Sequence, residues 1–259
     1  MHLYGKNSVL ERIISNPGSI KSIFLQDNFA SPRIIEAIRS KEIPVKRVSE
    51  RELSKIKHAD RLQGIVARVE EFRYTPFDEL LNNAAERNLS LIFLDSINDP
   101  HNLGSILRIT ACFGDFAVVI PKHSSCEVND TVVHVASGGE NFVPVSMVNN
   151  MTTAIIKAKN AGYWIVGAMV EQGADITGAS LPFPIGLVLG SEGKGIRHGV
   201  KKHLDQKVSL PMRGADLSFN VAVACAIFSY EISKQRDIKH STPGLDKRGC
   251  PRKPGGGMP

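Results

Sequence analysis

The sequence has no apolar run long enough to cross a bilayer; its longest candidate, Val221 to Phe228, has the length of a core helix. It also lacks a Gly-X-Y period and strong compositional bias. With 42% hydrophobic and 22% charged residues over 259 positions, disorder and collagen-like architecture are excluded. One large globular domain or two smaller ones is expected. The opening Met1-His2-Leu3-Tyr4-Gly5-Lys6 has no basic segment leading into an apolar run. No secretory signal is therefore expected, and the chain reads as cytoplasmic. Cysteine is scarce: Cys112, Cys126, Cys225 and Cys250 form no C-x-x-C pair and lack metal-ligand spacing with the eight histidines, so no metal site is expected. Cys112 and Cys225 lie in apolar helical patterns and read as small core hydrophobes.

Charge is present in modest excess, with 32 Lys plus Arg against 26 Asp plus Glu, a formal +6. Its distribution says more. Residues 1–72 carry net +4, residues 73–238 net −2, and residues 239–259 net +4. Basic flanks around a slightly acidic centre suit contact of the ends with a polyanion; a merely solvated surface fits the same numbers.

The first 72 residues read as a small α/β module. Helices are expected at Ser8 to Ser15, with Val9, Leu10, Ile13 and Ile14 on one face, at Ile34 to Ile38, and at Glu50 to Lys57. Strands are expected at Ser22 to Leu25, Val45 to Val48 and Gly64 to Val69. A polar stretch, Glu70 to Pro76, reads as a linker, and a helix follows near Phe77 to Arg87. The main domain, residues 89–238, holds buried-type strands at Leu91 to Asp95, Ala117 to Ile120, Trp164 to Met169, Ile185 to Leu189 and Val208 to Leu210. Helices between them imply a covered parallel sheet in an α/β fold. A last helix is read over Leu217 to Lys234. Residues 239–259 are rich in Gly, Pro and basic residues and read as a disordered tail.

Ligands of parallel sheets sit at the carboxyl ends of the strands, and three loops there carry polar patterns. In Asn98 to Arg108, Pro100 argues against an early helix and Asn102 is a good cap; Arg108 falls about 120° around the helix from Asn102. An Arg in a packed helix needs an anionic partner, either a ligand or a local carboxylate such as Asp95 or Asp99. In Leu189-Gly190-Ser191-Glu192-Gly193-Lys194-Gly195 the glycines permit close backbone approach, but the spacing fits neither a P-loop nor a dinucleotide loop, and Glu192 opposes a phosphate cradle. A plain glycine turn before a helix is equally compatible. In Leu210 to Ala222, Ser218 and Asn220 taken alone read as helix caps.

In this order and spacing the three loops resemble the motifs of the SpoU (TrmH-like) branch of the SPOUT RNA methyltransferases. The positions that carry the resemblance are Asp99, Pro100, Asn102, Gly104 and Arg108; Gly190, Glu192 and Gly195; and Pro211, Met212, Gly214, Ser218, Asn220 and Val221. Phe219 and Ala222 depart from the usual Leu and Ser, and Leu210 from Ile. The front module, with Leu3 to Leu10 and Gln63 to Ala67, resembles the ribosomal-protein-like RNA substrate-binding domain of the RlmB-like subgroup, which methylates a guanosine 2′-OH of 23S rRNA.

The resemblance implies a trefoil-knotted parallel sheet, a homodimer with its active site across the interface, and S-adenosylmethionine as cofactor, with neither metal nor membrane. It assigns the catalytic work to Arg108, with Asn102 holding Arg108 or the nucleotide, and with Glu192, Ser218 and Asn220 completing the constellation. The cofactor would be touched by Leu189, Gly190, Gly195, Leu210, Met212 and Phe219. An arginine, with a pKa above about 12, is an awkward base and better suited to orienting a ribose-phosphate. Two other readings stay open: the same chemistry on tRNA or another rRNA site, and a non-catalytic RNA-binding assembly factor, for which Phe219 and Ala222 are the hints.

Overall fold

A computed structural model describes residues 1–59, 61–214 and 217–241. The front module contains β1 (His2–Tyr4), α1 (Lys6–Ser15), β2 (Ile20–Gln26), α2 (Pro32–Ser40), β3 (Val45–Val48), α3 (Glu50–Ile56) and β4 (Ile65–Val69). Its four-stranded sheet has the order β1-β4-β2-β3, with β4 antiparallel to both neighbours and β3 parallel to β2. Then come α4 (Phe77–Arg87), β5 (Ser90–Asp95), α5 (Pro100–Phe113), β6 (Phe116–Pro121), α6 (Asp130–Ala136), β7 (Val145–Val148), α7 (Met151–Asn160), β8 (Trp164–Met169), β9 (Ala174–Asp175), β10 (Ile185–Gly190), α8 (His198–Lys201), β11 (Gln206–Ser209) and α9 (Val221–Ser241). The seven strands pair in parallel in the order β7-β6-β5-β10-β8-β11-β9.

The strands that read as continuous apolar runs are buried on both faces, which a parallel sheet covered by helices requires. Alternate residues of β5 divide accordingly. Leu91 and Phe93 pack under Leu80 and Ala84 of α4 and Ala154, Ile155 and Ala158 of α7. Ile92 and Leu94 pack under Leu103, Ile106 and Leu107 of α5 and Cys225, Phe228 and Ile232 of α9. That second layer runs on into the front module, where it takes in Leu3, Val9, Ile13, Ile23 and Ile65. The two sheets therefore share one apolar core.

A polar seam reinforces the junction. Arg12 Nη2 of α1 pairs with Glu140 Oε1 at 2.7 Å, both side chains less than a tenth exposed. Burial pushes the Glu140 carboxyl above its ordinary range, while Arg12 and the Gly138 amide pull it back. Tyr4 stacks on His134 with ring centroids 3.9 Å apart, and Lys57 pairs with Asp130 at 2.6 Å.

Several expectations need correction. Ile14 is exposed, since of the apolar residues of α1 only Val9 and Ile13 are fully buried. Cys112 is exposed as well, on the outer face of α5, whereas Cys225 is buried and its thiol is pushed up to about 12. Pro100 starts α5 rather than delaying it, because proline at the first helical position loses no intrahelical bond. The last strand is Gln206–Ser209, and the last helix starts at Val221 and runs to Ser241, past the expected start of the tail. Residues 242–259, including Cys250, lie outside the described residues. Among the described residues, no helix is long and apolar enough to cross a membrane.

Candidate active site

The three polar loops meet at the carboxyl ends of β5, β10 and β11. Asp99 caps α5, its carboxylate accepting from the His101 amide at 2.8 Å. Asn102 is thereby freed from the capping expected of it and lies in the first turn of α5, largely buried. After β10 the chain folds back sharply. The Gly195 amide donates to the Ser191 carbonyl at 2.8 Å, and a Cβ on Gly190 would stand 2.1 Å from the Gly195 carbonyl carbon. Only glycine fits there, so Gly190 is required by the turn itself. After β11, residues 210–214 and 217–220 form no regular element until α9 begins. Asn220 caps that helix, its Oδ1 accepting from the Ala222 amide at 2.9 Å.

Three side chains close into one network. Asn102 Nδ2 donates to Glu192 Oε1 at 3.0 Å, Asn220 Nδ2 donates to the same oxygen at 2.9 Å, and Asn220 Nδ2 also reaches Asn102 Oδ1 at 2.9 Å. One carboxylate oxygen thus ties all three loops together, while Oε2 makes no hydrogen bond among the described residues.

Beside the network lies a cavity of about 520 Å³, within the range of small-molecule sites. Leu189, Gly190, Gly195, Leu210, Met212 and Phe219 all line it, as do Glu192 and Ser218. It is also lined by the end of β8, Ala168 and Met169, and by the residues that follow to Gln172. Apolar side chains beside loop backbone suit a flat, polar-edged ring system. Glu171 and Glu192 offer carboxylates toward a cationic group, and Lys194 and Lys201 stand at the same cavity. This donor set fits a nucleoside carrying a charged amino-acid arm.

Arg108 stands apart. It is exposed on α5, it does not line the cavity, and neither Asn102 nor any carboxylate among the described residues holds it. The two local candidates are engaged elsewhere: Asp99 in its cap, and the fully buried Asp95 with Arg197, whose Nη2 approaches Oδ1 at 2.6 Å. Sequence reading missed the Asp95–Arg197 pair and the lining residues Glu171, Gln172, Lys194 and Lys201. An ionisable residue closing the apolar run of β5 was the available signal for Asp95.

The profile of the SpoU rRNA Methylase family matches residues 89–230, and that of the RNA 2′-O ribose methyltransferase substrate binding domain matches residues 2–75. A TrmH family protein of Staphylococcus saprophyticus is 32% identical over 240 residues, covering 91% of this chain and 96% of that one. The 23S rRNA (guanosine-2′-O-)-methyltransferase RlmB of Xanthomonas campestris is 34% identical over 239 residues, covering 90% and 96%. Among solved structures, the SpoU methyltransferase AviRb of Streptomyces viridochromogenes, crystallised with the cofactor AdoMet, superposes with a TM-score of 0.76 at 21% identity, covering 92% and 91%.

Proposed function

The chain belongs to the SpoU rRNA methylase family, and on that premise we propose that it transfers the methyl group of S-adenosylmethionine to the 2′-OH of a guanosine in 23S rRNA. The observation that carries this reading is the convergence of Asn102, Glu192 and Asn220 on one carboxylate oxygen beside a cavity lined by Leu189, Leu210, Met212 and Phe219.

When bound, S-adenosylmethionine supplies an electrophilic sulfonium methyl. Leu189, Leu210, Met212 and Phe219 hold its adenosine by apolar contact, and the backbone around Gly190 and Leu210 reads the ring edge. A ribose hydroxyl is a weak nucleophile, so the protein must fix its orientation and assist loss of its proton. Glu192, held through Oε1, keeps Oε2 free to accept a hydrogen bond from that hydroxyl. Arg108 supplies fixed positive charge toward the ribose-phosphate, and Ser218 orients the nucleotide. The front module docks the RNA.

A homodimer in the cytoplasm completes the proposal. Val223, Ile227 and Tyr230 form an exposed apolar stripe on α9 at helical spacing, and the Tyr230 ring lies 6.5 Å from that of the exposed Phe113 on α5. Arg108 and Cys112 share the exposed side of α5. Pairing two copies through this stripe carries Arg108 toward the partner's cavity, the role that its lack of a carboxylate partner among the described residues leaves open.

The test is calorimetric titration with S-adenosylmethionine together with tritium transfer onto 23S rRNA, 16S rRNA and tRNA. Transfer to 23S rRNA alone is expected. Transfer to tRNA instead would reassign the substrate, and the absence of cofactor binding would favour an assembly factor.

A further inference from the structure

From the end of the second loop into β11 runs the most basic segment of the methyltransferase domain. Residues 194–207 contain Lys194, Arg197, Lys201, Lys202 and Lys207 against Asp205 alone, net +4, inside a domain whose remaining part, within residues 73–238, is net −6. Most of this charge is uncompensated. Asp205 is taken by Lys159 at 2.6 Å, and Asp95 by Arg197. Lys194, Lys201, Lys202 and Lys207 have no carboxylate partner among the described residues.

The segment is anchored as well as charged. Arg197 donates to Asp95 from its amide at 2.8 Å and from Nε at 2.7 Å, which ties the start of α8 to the end of β5. The guanidinium remains half exposed while the carboxylate beneath it is fully buried. Lys194 and Lys201, seven residues apart on this anchored segment, both line the cavity that the glycine turn borders. Lys202 follows, exposed. Glu171 lines the same cavity, and Glu192 is held by its two asparagines.

We propose that Lys194, Lys201 and Lys202 form a second RNA-docking surface, in the methyltransferase domain itself, that binds the phosphates flanking the target ribose. This rests on the function proposed above. A ribose presented to Glu192 carries a phosphate on its 3′ oxygen and another on its 5′ oxygen. The backbone must therefore run across the mouth of the cavity, and unpaired ammonium groups on a rigid segment meet it there. The front module captures the RNA, and these lysines set its register. Each Lys–phosphate contact displaces condensed counterions and so leaves a signature in salt dependence.

The experiment uses the full chain with Lys194→Ala, Lys201→Ala and Lys202→Ala, singly and combined, alongside the three Lys→Arg counterparts. Binding of a 23S rRNA transcript is measured from about 50 to 300 mM KCl, and S-adenosylmethionine affinity is measured separately. Each Lys→Ala change is expected to weaken RNA binding about fivefold near 0.1 M salt and to flatten the log–log salt slope by about 0.7. Lys→Arg restores both, and cofactor affinity stays within about twofold in Lys202→Ala, which lies outside the cavity. An unchanged slope in the triple Ala variant overturns the proposal. So does a loss of cofactor affinity with RNA binding intact, which would assign Lys194 and Lys201 to the cofactor instead. Wild-type protein that binds the cofactor but no rRNA overturns this proposal together with the reading it rests on.

Discussion

Glu192 Oε1 accepts a hydrogen bond from Asn102 Nδ2 at 3.0 Å, although 90 residues separate the two in the chain. The contact locks the turn after β10 to the first turn of α5, and Asn220 adds the start of α9. Because the asparagine amide donates and the carboxylate can only accept, the polarity of the pair is fixed. Asn102→Ala should lower methyl transfer about tenfold, the equivalent of about 1.4 kcal/mol. Asn102→Asp should lower it further, since it sets a second carboxylate against Glu192. Single-turnover rates check both, and wild-type turnover in Asn102→Asp would contradict the arrangement.

Arg108 is exposed and holds no carboxylate partner among the described residues. Arg108→Ala should therefore shift the melting temperature little while lowering methyl transfer about 100-fold or more, the scale of losing one preorganised charge donor. Cofactor affinity should remain within about twofold, as Arg108 does not line the cavity.

The turn after β10 leaves no room for a side chain at its start. In Gly190→Ala the added carbon meets the Gly195 backbone, which has no rotamer with which to yield. The expected cost is about 1–3 kcal/mol in stability, with loss of cofactor binding, read by thermal melting and calorimetry. Full cofactor affinity in this variant would mean that the turn is not part of the binding site.

Arg12→Ala should separate the modules from within. It strands Glu140, which is 5% exposed, as a buried carboxylate without its cation, at a cost of about 3–5 kcal/mol at neutral pH. Burial already raises the Glu140 pKa above its ordinary 4.5, so its stability contribution is complete below that value and is lost as pH rises through the folded-state pKa. Removing Arg12 enlarges the loss. The gap between wild type and Arg12→Ala in denaturant unfolding should accordingly narrow as pH falls from 7 toward 4.

How far these features were legible in the sequence varied with their range. The bounds of α4 and β8 follow from local pattern alone, and the six residues expected at the cofactor do line one cavity. β1 and β9, with three and two residues, are too short to display a period, and β7 is hidden behind Pro144. Asn102 was misread as a cap because Asp99, three positions earlier, carries an equally good capping side chain, and spacing cannot rank the two. The Arg12–Glu140 pair, 128 residues apart, has no local signature. Cys112 sits in an apolar pattern whose end is exposed, as its neighbour Phe113 is.

The most direct measurement is the mapping of 2′-O-methylation, nucleotide by nucleotide, on a 23S rRNA transcript incubated with S-adenosylmethionine and either wild-type protein or Arg108→Ala. The account predicts one methylated guanosine with wild-type protein and none with the variant. A methyl group on a base rather than a ribose, or an unchanged methylation pattern with Arg108→Ala, would contradict it.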